Sequence, residues 1–474
     1  MQDLNHETEV LVIGAGPGGY AAAFRAADLG LGVTLVDLDE RPGGECLFRG
    51  CIPSKTLLSL AELLHDSQRS EAMGIRFDKP VIELEKIRAW KDKVTDKLSG
   101  GLVTLCKRRK IQLLQGKAVF EASDRVRLGG PDAGQIRFRH AILATGSFAT
   151  SFGSIPFEKG SRIMNSAAAL ELPDIPERML ILGGGYIGLE MGTIYAALGS
   201  RVTLAVRSDK LLREADPDLA GILITRLQEI FEAIHFNTQA TSLEESQEGV
   251  AVKFEGASDK PELTFDRVLV AIGRKPNTHD IGLEKTHVKV NGQGFVVVDE
   301  QRRTADEKIF AVGDLAGSPM LAHKAFREGK VAAEAIKGMN SAFDVQAIPA
   351  VVYTDPQVAW CGLSEEQARK QGLRVKVEKY LWKFSSRATT MGVPEGMTKM
   401  MIDPETGRIL GLGITGRNTE GLISEGVLAI EMGAVAQDLG LIIHPHPTLS
   451  ETVGEAAELY TGSVTHVLPK GKSD

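Results

Sequence analysis

Two glycine-rich turns, about 170 residues apart, constrain this chain more than any other feature. Residues 9–13 (EVLVI), with four consecutive apolar residues after Glu9, read as a strand buried on both faces, not as one alternating between core and solvent. That run leads into Gly14-Ala15-Gly16-Pro17-Gly18-Gly19, then a helical pattern over 20–29, then a strand at 32–36 that ends on Asp37. The same order recurs at 179–182, which leads to Gly183-Gly184-Gly185-Tyr186-Ile187-Gly188, a helix reaching Leu198 and a strand at 201–206. In such a unit one glycine permits the tight turn, the next lets backbone approach a pyrophosphate, and a third lets the helix pack closely on the strand. The phosphates then meet the N–H groups and partial positive charge of the helix N-terminus. Gly14, Gly16, Gly18 and Gly19 in the first turn, and Gly183, Gly185 and Gly188 in the second, are the candidate contacts. Asp37, 23 residues after Gly14, stands where a carboxylate accepts hydrogen bonds from the ribose of an adenosine. Two bound dinucleotides are expected.

At 474 residues the chain exceeds a single hydrophobic core. The reading is α/β: two Rossmann-like dinucleotide-binding domains at 1–149 and 150–276, a central domain at 277–346 and a C-terminal α+β domain at 347–474. In the last part, strand-like runs at 350–353, 398–402 and 409–414 alternate with helical segments at 364–371 and 421–432, and no nucleotide turn appears. The net charge is −7, and no basic stripe interleaved with aromatics suggests nucleic acid as a partner. The short basic run 107–110 reads as a solvated helix end. Residues 1–9 are polar, without the basic and apolar regions of a secretory signal, and Gly, Arg25 and Asp28 interrupt the longest apolar stretches. A cytoplasmic protein with no membrane span is expected.

Four cysteines are present, and Cys46 and Cys51 lie five residues apart within 43–55 (GGECLFRGCIPSK). On an ideal helix that spacing separates Cα atoms by roughly 8–9 Å, whereas a disulfide wants about 4.4–6.8 Å. The segment must therefore distort, and Gly50 offers the freedom. Cys51 would then start the helix continuing through Leu58, where the helix dipole favours a thiolate. A metal site would need two more Cys or His ligands close by, and none follows the motif, so redox chemistry is preferred and no metal is expected. Cys106 and Cys361, isolated among apolar residues, read as small core side chains.

These residues carry a resemblance that covers essentially the whole chain. The segment around Cys46 and Cys51 resembles that of the flavin disulfide reductases, and the closest similarity is to the dihydrolipoamide dehydrogenase family. Residues 140–146 (HAILATG) resemble the strand returning from an FAD domain, 267–278 (RVLVAIGRKPNT) the end of an NAD(P) domain, and 309–314 (IFAVGD) the motif whose Asp314 contacts the ribityl chain. The resemblance implies backbone contacts to flavin from Leu321 and Ala322, a contact to adenine from Ala118, and further cofactor contacts from Gly44, Lys55, Thr145, Gly146 and Gly273. It implies an ion pair of Lys55 with Glu190 near the flavin. In 444–451 (HPHPTLSE) it makes His446 the proton acceptor and Glu451 its orienting partner, with His444 structural. By the same resemblance the chain is a homodimer that oxidises the dihydrolipoyl group of a carrier protein, using FAD and NAD(P). The alternatives are an NADPH-dependent reductase of another disulfide or a metal ion, and a catalytically weak flavin-binding interaction subunit.

The chain also departs from that pattern. Glu45, Phe48 and Arg49 replace a Thr, an Asn and a small apolar residue beside the cysteines, and the charges of Glu45 and Arg49 act on a neighbouring thiolate in opposite senses. Val206 stands where NAD-using members carry Glu, followed by Arg207 and Arg213 in a spacing that resembles NADPH-using glutathione reductase. Gly188 stands where those enzymes more often have Ala. NADP(H) is mildly favoured over NAD(H).

Overall fold

The computed structural model describes residues 4–256 and 261–468. Of the polar segment 1–9, residues 1–3 lie outside the described residues. The chain forms two compact units: 1–56, 83–150 and 273–344 make the first, and 57–82, 151–272 and 345–474 the second.

In the first unit the strand expected at 9–13 extends back to Leu4, forming Leu4–Ile13, and it pairs in parallel with Val33–Asp37 on one side and Gly134–Leu143 on the other. Gln112–Gln115 extends the sheet beyond Val33–Asp37, and Ile309–Ala311 pairs with Gly134–Leu143. Successive strand residues point to opposite faces, and here both faces are covered. Val10 and Val12 enter a core with Ala22, Ala23 and Ala26 of the helix Pro17–Asp28 and Ala332, Ala333 and Ala335 of the helix Ala322–Ile336. Leu11 and Ile13 enter another with Phe120, Ile136 and Phe138. That is why the sequence there is continuously apolar. The antiparallel strands Lys117–Ala122 and Arg125–Gly129, which the sequence analysis did not resolve, join this sheet through Gly134–Leu143.

The second unit holds a parallel sheet that places Arg178–Leu182 between Arg201–Ala205 and Arg267–Val270. Three antiparallel strands, Thr238–Glu245, Val250–Gly256 and Glu262–Phe265, accompany it. Its third sheet is antiparallel, in the order Ala350–Val352, Gln357–Gly362, Ile409–Gly416, Met397–Ile402 and Lys376–Leu381. The helices Thr419–Glu431 and Glu451–Thr461 supply Ile423, Ala429, Val453 and Ala456 to its core beside Trp382 and Ile414. Among the described residues no helix is long and apolar enough to cross a membrane.

Met397–Ile402 is buried throughout, yet it contains Lys399, 1% exposed. Its ammonium lies 2.9 Å from Asp216 and 2.9 Å from Asp218 and also contacts Glu365. Those three carboxylates approach one another closely enough to hold a metal ion, and Lys399 stands among them. Removing one partner of a buried ion pair is far more damaging than losing a surface one. Lys399→Met should therefore lower stability by about 3–5 kcal/mol, read as a fall in the denaturant midpoint, and an unchanged midpoint would show the cluster to be energetically idle.

Candidate active site

The two glycine turns repeat one steric device. Gly14 has φ +100°, and a Cβ there would lie 2.2 Å from the Ala144 carbonyl oxygen. A Cβ at Gly19 would lie 1.7 Å from the Gly14 carbonyl oxygen, so only hydrogen lets the helix Pro17–Asp28 start so close to the strand. In the second turn Gly183 has φ +113°, and a Cβ at Gly188 would lie 2.4 Å from its carbonyl oxygen. At Gly185 a Cβ would meet nothing within 4 Å, which is the open approach that a pyrophosphate needs. No side chain caps either helix, and both N-termini suit phosphate. Gly18 instead packs inward, where a Cβ would lie 3.2 Å from Val312 and 3.3 Å from Ala325.

Asp37 closes its strand as expected, and it accepts the N–H of Ala15 and, at 2.9 Å, that of Asp39. Burial raises its carboxyl above the ordinary value, against these two bonds. Its carboxylate thus holds the first turn in shape. Around it, Gly44 (φ +60°) approaches the first turn so closely that a Cβ would lie 2.5 Å from the Gly16 Cα. The Thr145 hydroxyl donates to the Asn277 carbonyl at 2.7 Å, and the Asn277 side chain returns a bond to the Thr145 carbonyl at 2.9 Å. Gly146 (φ +70°) and Gly273 (φ +131°) flank this crossing, Ala118 lies buried in Lys117–Ala122, and Leu321 caps the helix that Ala322 begins.

The cysteine segment breaks where the spacing requires. The helix Gly44–Arg49 carries Cys46, the chain turns at Gly50, and Cys51 opens the helix Cys51–Arg69. A Cβ at Gly50 would lie 3.4 Å from the Cys46 Cα, so this is where the chain folds back on itself. The two thiols are hydrogen-bonded to each other. That bond, with burial, pushes the Cys46 thiol far up, while Lys55, one turn beyond Cys51, pulls it down. Cys51, at the helix start, is placed to carry thiolate charge. Burial pushes Cys106 up to about 11 and Cys361 up to about 12, so both are inert core thiols.

Asp314 accepts a hydrogen bond from the Ser147 hydroxyl at 2.5 Å. The turn carrying it is fixed by a residue that sequence reasoning missed: Glu328, fully buried, accepts the Gly313 N–H at 2.7 Å. Arg302 at 2.9 Å and Lys324 at 3.0 Å neutralise it. The signal was a Lys–Glu pair four residues apart on the inward face of a helix lined there mostly by Ala, Gly and Val.

In the second unit Val206 is 4% exposed, with its N–H on the His235 carbonyl at 2.8 Å. Arg207 and Arg213 are exposed, and Arg213 Nε donates to the Ser208 hydroxyl at 3.3 Å. Glu190, 3% exposed in the helix Tyr186–Leu198, accepts the Tyr353 N–H at 3.1 Å. His446 Nδ1 lies 2.8 Å from Glu451, whose other oxygen accepts the Thr448 N–H at 2.6 Å. A carboxylate on Nδ1 fixes the proton there and leaves the Nε2 lone pair as acceptor on an exposed ring. His444 is instead held by Glu425 at 2.9 Å and is largely covered.

Glu328→Gln leaves Arg302 and Lys324 buried without a counter-charge and should lower stability by about 3 kcal/mol. Flavin loss on gel filtration and a lowered melting temperature are the expected readouts, and full retention of both would mean that the turn is held by other means.

Known proteins agree with this architecture. The family described as pyridine nucleotide-disulphide oxidoreductase matches residues 8–329, and its dimerisation domain matches 348–457. Dihydrolipoyl dehydrogenase of Buchnera aphidicola subsp. Schizaphis graminum is 44% identical over 470 residues, 98% of either chain. That of Haemophilus influenzae is 44% identical over 471 residues, again 98% of either chain. Among solved structures, LpdA from Mycobacterium tuberculosis superposes with a TM-score of 0.87 at 25% identity, covering 95% of this chain and 99% of that one. The HOCl-induced flavoprotein disulfide reductase RclA of Escherichia coli reaches 0.85 at 26% identity, covering 96% and 100%. The chain belongs to the pyridine nucleotide-disulphide oxidoreductase family.

Proposed function

We propose that the chain oxidises a protein-bound dihydrolipoyl group to lipoyl and passes hydride to NAD(P)+ through FAD and the Cys46/Cys51 pair. One observation carries this reading: two thiols are hydrogen-bonded across the Gly50 break in a chain 44% identical over nearly its full length to enzymes named dihydrolipoyl dehydrogenase. His446, with Glu451 on Nδ1, takes a proton from a substrate thiol at Nε2. The substrate thiolate attacks Cys46 of the oxidised pair, forming a mixed disulfide and releasing Cys51 as thiolate. The second substrate thiol then displaces Cys46, its proton passing to the departing Cys46 sulfur while His446 keeps the first. Two substrate thiols have become a disulfide, and the enzyme pair has gained two electrons.

Bound FAD supplies the two-electron transfer from thiolate to nicotinamide. The residues suit it: open glycine turns at two helix N-termini, and Asp314 held by Ser147. Lys55 and Glu190 are assigned to the flavin neighbourhood as an ion pair. The C-terminal module exposes Leu428, Met432, Leu441, Ile442 and Ile443, the last 95% exposed, and supports a homodimer in which His446 of one chain serves the cysteines of the other. The partner is a lipoyl-carrying protein, and the site of action is the cytoplasm.

Cys51→Ser should abolish the long-wavelength absorbance of the two-electron-reduced enzyme while FAD stays bound. His446→Gln should lower lipoamide turnover about a hundredfold or more and leave reduction by NAD(P)H nearly unchanged. Equal loss in both half-reactions would make His446 structural.

Nucleotide choice is a separate reading. Buried Val206 offers neither repulsion to a 2′-phosphate nor an acceptor to a 2′-hydroxyl, and Arg207 and Arg213 lie exposed beside it. Gly188 speaks for the tighter helix packing of NAD-using relatives, since a methyl group there would strike Gly183. The arginines tip the balance toward NADP(H). Val206→Glu/Arg207→Met should cut kcat/KM for NADP(H) relative to NAD(H) by about two orders of magnitude, and an unchanged ratio would show Arg207 to be a bystander.

A further inference from the structure

The helix that carries Cys46 has only six residues and is bounded by Gly43 (φ +154°), Gly44 (φ +60°) and Gly50. Glycine adds backbone freedom, and so short a helix has little stability of its own. Its outward side chains supply the anchorage. Glu45 accepts from Arg49 Nε at 3.2 Å and from Arg274 Nη2 at 3.3 Å. Arg49 also grips Asp39, at 3.2 Å and 2.6 Å through its two terminal nitrogens. The guanidinium groups of Arg41 and Arg49 lie over the Phe48 ring, 5.8 Å and 6.0 Å from its centre. Arg274 continues inward: its Nε donates to the Ser147 hydroxyl at 2.8 Å, and Ser147 donates to Asp314. A chain of hydrogen bonds thus links Asp39, Arg49, Glu45 and Arg274, through the Ser147 hydroxyl, to Asp314, and around the helix that carries Cys46 the two arginines face the two carboxylates Asp39 and Glu45.

We propose that Glu45 is a positioning residue that sets the redox poise of the Cys46/Cys51 pair, by holding Arg49 and Arg274 and cancelling their charge beside the helix that carries Cys46. The oxidised pair is uncharged. Reduction breaks the S–S bond, takes up two electrons and one proton from the substrate dithiol, and leaves a thiol and a thiolate. An uncompensated cation nearby stabilises that thiolate and so favours the reduced pair, and an uncompensated carboxylate disfavours it. With Glu45 in place Arg49 and Arg274 are matched by Asp39 and Glu45, and Lys55 and the start of the Cys51 helix remain as the groups that favour the thiolate. The departures from family pattern at positions 45 and 49 are then one linked change.

The inference rests on the reading of Cys46 and Cys51 as the redox pair, and the experiment separates the two. Holoenzyme is equilibrated in dihydrolipoate/lipoate buffers, and the oxidised fraction of the pair is read by thiol labelling and mass spectrometry, with FAD content checked in each variant. Glu45→Gln should shift the exchange equilibrium toward the reduced pair by about tenfold, or about 30 mV for a two-electron couple. Arg49→Gln should shift it the other way, and Glu45→Gln/Arg49→Gln should return to within about twofold of wild type. Glu45→Asp, which keeps the charge, should also stay within about twofold. Shifts of the same sign in both single variants, no shift in Glu45→Gln, or a shift in Glu45→Asp as large as in Glu45→Gln would overturn the role of Glu45. A wild-type pair that does not titrate as a two-electron couple would overturn the redox reading with it.

Discussion

The site depends on how close a helix can start to the end of a strand. In both glycine turns the third glycine of the motif faces the carbonyl of the first, and a single methyl group would collide with it. This contact aims the helix N-terminus at the sheet edge, and the partial charge of that terminus is the part that recognises phosphate. Other features follow from it in the first unit. Gly44 can approach Gly16 only because Gly44 has no side chain, and that approach brings the cysteine segment against the first turn. The Ala-rich face of Pro17–Asp28 admits Ala322–Ile336, where a Cβ at Gly329 would lie 2.4 Å from the Gly18 carbonyl oxygen.

The turns and their flanking strands were legible because their chemistry is local. Strand Val33–Asp37 ends on the acid that the spacing indicated, and the break at Gly50 follows from disulfide geometry and helix rise alone. The same holds for His446 and Glu451, five residues apart and joined across a short loop. What stayed hidden is long-range. Glu328 acts on Gly313 from the next helix, and Arg274 meets Glu45 across more than two hundred residues of sequence. No spacing rule connects such pairs, because the fold alone brings them together. The long helix Leu84–Arg108 was missed for another reason: its few buried positions are Lys91, Thr95, Ser99 and Cys106, which give no apolar stripe.

Charge handling differs between the two ends of the path that joins the Cys46 helix to Asp314. At the turn carrying Gly313 and Asp314, Glu328 is fully buried and answered by two cations, so its role is to hold backbone in place. Beside the cysteines the groups are only partly covered, with Glu45 41% and Arg49 39% exposed, and a charge there still reaches neighbours through a medium of intermediate polarity. Rigid support and adjustable potential are thus assigned to different carboxylates.

Lys399 carries the logic of counter-charge furthest. Three converging carboxylates ordinarily call for a divalent ion from solution, and such an ion comes and goes with its concentration. Here the cation is covalently tethered to the neighbouring strand, buried, and shared by Asp216, Asp218 and Glu365. A tethered ammonium cannot be chelated or washed away, so the supply of metal ions in the surrounding medium has no hold on this part of the fold.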